Sequence, residues 1–106
     1  MPKYWTIHGT EANVKRSAVL YARGLGFTVI DTASHLRGPR AGIPDAFIGH
    51  RRVPMFWIAV EFKSPRGKLS REQAELHADG MLCVVNSVES MVTVLNTHFP
   101  SIVAHP

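Results

Sequence analysis

One cysteine, Cys83, is all the chain has in 106 residues. An intrachain disulfide is therefore excluded, and a reducing, cytoplasmic setting is expected. No apolar run approaches the roughly 18 residues of a membrane span. The opening Met-Pro-Lys-Tyr-Trp-Thr-Ile-His lacks the apolar stretch of a signal peptide. There are no repeats, no low-complexity tracts and no internal linker, so one domain over residues 1–106 is expected. The six histidines, His8, His35, His50, His77, His98 and His105, show no zinc-type spacing with a cysteine or carboxylate. Acids are scarce in the middle of the chain. From Arg37 to Arg71 there are eight basic residues against Asp45 and Glu61, a net charge of +6, while the remainder carries −2. Such a field attracts polyanions, although scattered solvated lysines and arginines would give the same count.

What is present is a hydrophobic content of 45%, enough for a packed core. Thr10 reads as an N-cap for a helix from about Glu11 to Leu25, with Val14, Ala18, Tyr21, Ala22 and Leu25 on one face and Gly24 and Gly26 as the stop. Phe27 to Ile30 reads as a strand, and Thr32 to Gly42 as a loop. Ala46–Ile48 and Met55–Phe62 form a predicted hairpin with a basic tip at His50-Arg51-Arg52. Ser64-Pro65-Arg66-Gly67 breaks the second strand. Ser70-Arg71-Glu72-Gln73 matches a capping box and opens a helix that Gly80 closes. Met81 to Val85 reads as a buried strand, with Cys83 an inert small hydrophobe. Asn86 or Ser87 caps a last helix with Val88, Met91, Val92 and Leu95 on one face. The predicted order is α-β-β-β-α-β-α.

Charge placement points to chemistry. Glu61 and Lys63 are two apart in a strand, so they share a face and Phe62 takes the other. The antiparallel return brings Asp45 beside Glu61, and Pro44 fixes the backbone ahead of it. Two carboxylates held together raise each other's pKa, and a divalent cation relieves that repulsion. Oxygen ligands from Asp45, Glu61 and the carbonyl of Phe62 suit Mg²⁺ or Mn²⁺ better than zinc. Such an ion can bind a phosphate oxygen and acidify a water, and Lys63 could hold that water or stabilise transition-state charge. The same three residues could equally form a plain ion pair at the end of a sheet.

Gly42-Ile43-Pro44-Asp45, Trp57-Ile58-Ala59-Val60-Glu61-Phe62-Lys63, Gly67 to Gln73 and Asp79 to Glu89 together resemble the VRR-NUC family of the PD-(D/E)xK nuclease superfamily. The resemblance runs from Glu11 to Leu95. It implies a restriction-endonuclease-like αβββαβ core with a mixed sheet flanked by helices, and a metal-dependent DNA endonuclease. It also implies a homodimer akin to Holliday-junction resolvases, with no small-molecule cofactor. Asp45, Glu61 and Lys63 are then the catalytic motif. Glu11 becomes either the acid directed at the metal or one favoured by the helix dipole. Gln73 becomes either a site residue or the partner of Ser70 in the cap. Arg37, Arg40, Arg66 and Lys68 are the expected phosphate contacts. With no base-reading helix visible, a branched DNA shape is a better expected target than a sequence. A non-catalytic nucleic-acid-binding module with this fold and a sequence-specific restriction-type nuclease are the alternatives. The apolar Tyr4-Trp5-Ile7 and Phe99 to Val103 are either dimer contacts or segments that pack on their own subunit.

Overall fold

The structure, a computed structural model, describes residues 10–32 and 42–105. Helix α1 spans Glu11–Gly24. The Thr10 hydroxyl accepts from the Asn13 N–H at 3.1 Å, and Val14, Ala18 and Ala22 are buried one turn apart. Gly26, at φ +87°, occupies the left-handed region and turns the chain into the sheet. The four strands are β1 (Thr28–Asp31), β2 (Ala46–His50), β3 (Val53–Phe62) and β4 (Cys83–Val85). They lie in the order β1-β2-β3-β4. The first two pairings are antiparallel, and β3 with β4 is parallel. A parallel return needs a crossover, and helix α2 (Arg71–Ala78) lies in it. Helices α3 (Val88–His98) and α4 (Pro100–Ala104) follow.

The order read from the sequence is the order observed, with α4 added. The chain is thus a mixed α/β fold whose four-stranded mixed sheet is flanked by helices. Among the described residues no helix is long and apolar enough to cross a membrane.

The core lies between α1, α3 and one sheet face. Ala46, Ile48, Val60, Phe62, Val85, Met91 and Leu95 are buried there with the α1 stripe. Ala46 is opposite Val60 and Ile48 opposite Ile58, so β2 and β3 aim their apolar sets at the same layer. Phe99 and Ile102 join this core. The Phe99–Val103 tail therefore packs on its own subunit rather than lying free for a partner, and Pro100 opens α4 at a first-turn position that needs no N–H. Tyr4, Trp5 and Ile7 lie outside the described residues.

Three local expectations change. The turn of the hairpin is only Arg51-Arg52, and β3 begins at Val53. His50 belongs to β2 and is buried, its ring edge-on to Phe27 with centroids 4.9 Å apart. Its Nδ1 accepts from the Arg52 N–H, so an aromatic contact and a turn hydrogen bond hold a residue expected at the tip. Cys83 is only half-buried and lies 3.4 Å from His98 Nε2. Burial still pushes its thiol pKa up from the ordinary value, which disfavours the reactive thiolate.

Candidate functional site

The candidate site is built where β2 starts and β3 ends. Ala46 is opposite Val60, so one step outward sets Asp45 against Glu61. The Asp45 carboxylate replaces a missing strand carbonyl: its Oδ2 accepts from the Phe62 N–H at 2.9 Å. Backbone groups of one strand residue turn to the same side. The Phe62 carbonyl consequently faces Asp45's side of β3, beyond the point where β2 begins.

Thr32 holds Asp45 from behind. Its N–H donates to the Asp45 carbonyl at 2.9 Å. Its hydroxyl lies 2.7 Å from the Pro44 carbonyl and 2.9 Å from that of Asp45. Nothing in the local pattern signals this role, since Thr32 reads only as the first loop residue. Thr32→Val keeps the shape and removes the hydroxyl donor, leaving carbonyls under-satisfied in a partly buried place. Denaturant unfolding should show a loss of about 1–3 kcal/mol. A loss well under that range would mean that the backbone bond alone positions Asp45.

Alternation along β3 turns Glu61 and Lys63 away from the face of Val60 and Phe62, as expected. Glu61 is 4% exposed. Its Oε2 lies 3.6 Å from Lys63 Nζ, and its Oε1 is buried without a hydrogen-bond partner. Burial, first, and then the neighbouring Asp45 carboxylate raise the Glu61 pKa from 4.5 to about 7, while Lys63 opposes the rise. The sequence pointed to the second cause. The first, larger one depends on packing that strand periodicity does not reveal.

Lys63 also reaches the helix. Its Nζ is 3.8 Å from Glu11 Oε1, so the first turn of α1 does face this site. Glu11 meets the ammonium there. Among the described residues, no group of three or more His, Cys, Asp and Glu is arranged to hold a metal ion. The donor set in place is two carboxylates, one with an orphaned oxygen, together with the Phe62 carbonyl. Hard, oxygen-rich and partly dry, it is chemically suited to Mg²⁺ or Mn²⁺.

Gln73 takes the capping alternative. Its Oε1 accepts from the Ser70 N–H at 2.9 Å, and Ser70 Oγ accepts from the Gln73 N–H. That cap is its observed role. Arg66 and Lys68 are exposed on the turn and loop after β3, where Gly67 N–H donates to the Ser64 carbonyl. Arg37, Arg40 and His35 lie outside the described residues. No known protein family, curated protein or solved structure matches the chain.

Proposed function

We propose that the protein is a divalent-metal-dependent DNA endonuclease whose αβββαβ core is of the restriction-endonuclease type. One observation carries the reading: Asp45, Glu61 and Lys63 converge at one sheet end, with Glu61 Oε1 buried and unpartnered. Burying a carboxylate oxygen without a donor is costly. A cation bound between Asp45, Glu61 and the Phe62 carbonyl would offset that cost. When bound, Mg²⁺ or Mn²⁺ supplies a Lewis acid for phosphate and a more acidic water. Asp45 and Glu61 supply oxygens, and Thr32 and the Phe62 N–H fix the orientation of Asp45. Lys63 contributes positive charge at the reacting phosphate. Arg37, Arg40, Arg66 and Lys68 hold backbone phosphates. The target is branched DNA, such as a four-way junction, the active species is a homodimer, and the site of action is cytoplasmic.

The rival is a non-catalytic nucleic-acid-binding module, favoured by the ion pairs that Lys63 makes with both Glu61 and Glu11. A cleavage panel separates the two. Single-stranded, duplex, flap and four-way-junction DNA are incubated with Mg²⁺ or Mn²⁺, and with EDTA as the control. Metal-dependent cutting, fastest on a branched substrate, is the expected result. Binding without cutting on every substrate would leave the non-catalytic module.

The phosphate contacts have their own readout. Each neutralised phosphate contributes about 0.9 to the slope of log K against log salt on duplex DNA. Alanine at Arg37, Arg40, Arg66 and Lys68 together should flatten that slope by roughly 3–4 if each holds one phosphate. An unaltered slope would place the DNA on another face.

A further inference from the structure

Arginines on a turn are an ordinary solvated surface, but the Arg51-Arg52 turn borders a cavity. With Leu25, Gly26 and His50 the two arginines line an open pocket of about 350 Å³, toward the low end of the range for small-ligand sites. Gly26 leads out of α1 and His50 ends β2. The pocket thus lies where the first helix-to-strand connection meets the hairpin turn. Asp45 is at the other end of β2, and five residue steps at about 3.4 Å put roughly 17 Å between them. The carboxylate site and this pocket therefore cannot share one phosphate.

His50 supplies what a bare turn lacks. The residue is only 9% exposed. Its Nδ1 accepts from the Arg52 N–H at 3.1 Å, so that nitrogen carries no proton. In the neutral ring the proton is then on Nε2. No described residue accepts from Nε2. It faces Gly26, where a Cβ would come within 3.4 Å of it. Glycine at this position therefore takes the left-handed turn and also leaves the imidazole donor uncovered. Arg51 and Arg52 are exposed, and neither belongs to an ion pair among the described residues. Arg52 gives one N–H to the His105 carbonyl, which steadies its guanidinium and leaves four donors. No carboxylate lines the pocket.

We infer that this pocket binds a phosphate group, with His50 Nε2–H and the Arg51 and Arg52 guanidiniums as donors to its oxygens. The donor set fixes the class. Two planar guanidiniums present paired N–H groups that match phosphate oxygens. The imidazole N–H adds a third direction and does so as a neutral group, without acid pH. A nucleic-acid strand and a free nucleotide offer the same phosphate chemistry. If the nuclease reading holds, a strand is gripped here roughly five nucleotides from the cut, at about 3.4 Å per nucleotide along a duplex. The phosphate site itself does not depend on cleavage.

The test is NMR of the histidine-ring and arginine Nε–H signals, in EDTA so that no metal recruits phosphate to Asp45 and Glu61. Inorganic phosphate, deoxyadenosine monophosphate and a short DNA duplex are titrated separately at fixed ionic strength. The His50 and Arg51-Arg52 signals should shift and saturate. Saturation by phosphate and by the mononucleotide would make a free nucleotide the source, and saturation by the duplex alone would make it a strand. Arg51→Ala and Arg52→Ala should each weaken binding of the saturating probe about tenfold, as loss of one charge-assisted bond does. Arg16→Ala, at an exposed position on α1, should leave it alone. His50→Asn keeps an oxygen for the Arg52 N–H but lacks Nε2–H, and it should weaken binding as well. Circular dichroism checks that each variant folds. No shift with any of the three probes would overturn the proposal. So would a shift that sodium chloride reproduces at equal ionic strength, or binding indifferent to all three pocket variants. Loss of DNA cleavage in Glu61→Gln with phosphate still bound at His50 would bear on the nuclease reading alone.

Discussion

Glu61→Gln should make the protein more stable at pH 8 and catalytically dead. The stability half follows from proton linkage. The Glu61 pKa is 4.5 in the ordinary state and about 7 in the fold. Below 4.5 both folded and unfolded states carry the proton, and the group costs nothing. Between the two values the unfolded chain releases its proton while the folded chain keeps it, so stability falls as pH rises. Above about 7 the penalty is complete, at roughly 3 kcal/mol. Glutamine removes the charge and with it this pH dependence. Unfolding measured at about pH 5 and about pH 8 should show the variant gaining on the wild type only at the higher pH. A wild-type-minus-variant difference that does not change with pH would sink the claim.

The ion half separates the same variant from the wild type. Mn²⁺ should raise the melting temperature of the wild type most at the higher pH, where Glu61 is charged. It should do little for Glu61→Gln. Asp45→Asn should also lose cleavage and the response to Mn²⁺. The fold should survive, because an asparagine carbonyl oxygen can still accept from the Phe62 N–H that Asp45 now engages. Calorimetry showing unaltered Mn²⁺ affinity in both variants would remove these two residues from the ligand set.

Much of this site was legible because strands alternate. Glu61 and Lys63 had to share one sheet face and Phe62 the other, and the hairpin had to return Asp45 to Glu61. Helix starts were legible for a similar reason: Thr10, Ser70 and Ser87 offer a hydroxyl to an N–H three residues on. What was not legible depended on contacts between distant residues. The β3 bulge needs Gly49 to accept Trp57, and neither residue alone announces it. The burial of His50 is set by Phe27, twenty-three positions earlier. Gln73 satisfied two readings at once, and only the bond to Ser70 separates them. Strand β4, Cys83–Val85, is shorter than the apolar run Met81–Val85 that predicts it, because apolar content marks burial while pairing partners decide strand length. Met81 shows the difference, being apolar, exposed and outside the ladder.

Lys63→Ala should lose nearly all turnover while retaining most DNA affinity. Lys63 sits between Glu61 and Glu11 at 3.6 and 3.8 Å, with its side chain 18% exposed. Both separations exceed ordinary charge-assisted hydrogen bonds of about 2.7–2.9 Å. The ammonium is thus held by the field of two acids rather than locked to either, and it can still turn to a phosphate. A half-buried cation beside the reacting centre acts on charge that develops in the transition state, so its loss should lower kcat by about 100-fold or more. If the exposed Arg66 and Lys68 hold the DNA backbone as proposed, Kd for uncleaved DNA should move by only a few fold. The substitution has a second consequence, because Lys63 is the group that opposes the rise of the Glu61 pKa. Without it Glu61 should keep its proton to higher pH, and any residual Mn²⁺ binding should need more alkaline solution. Lys63→Arg retains the charge and should restore that pH midpoint, but its planar fork is a poor substitute for a point charge in catalysis. Binding DNA far more weakly while cutting at the normal rate when saturated would assign Lys63 to phosphate holding and take it out of the chemistry.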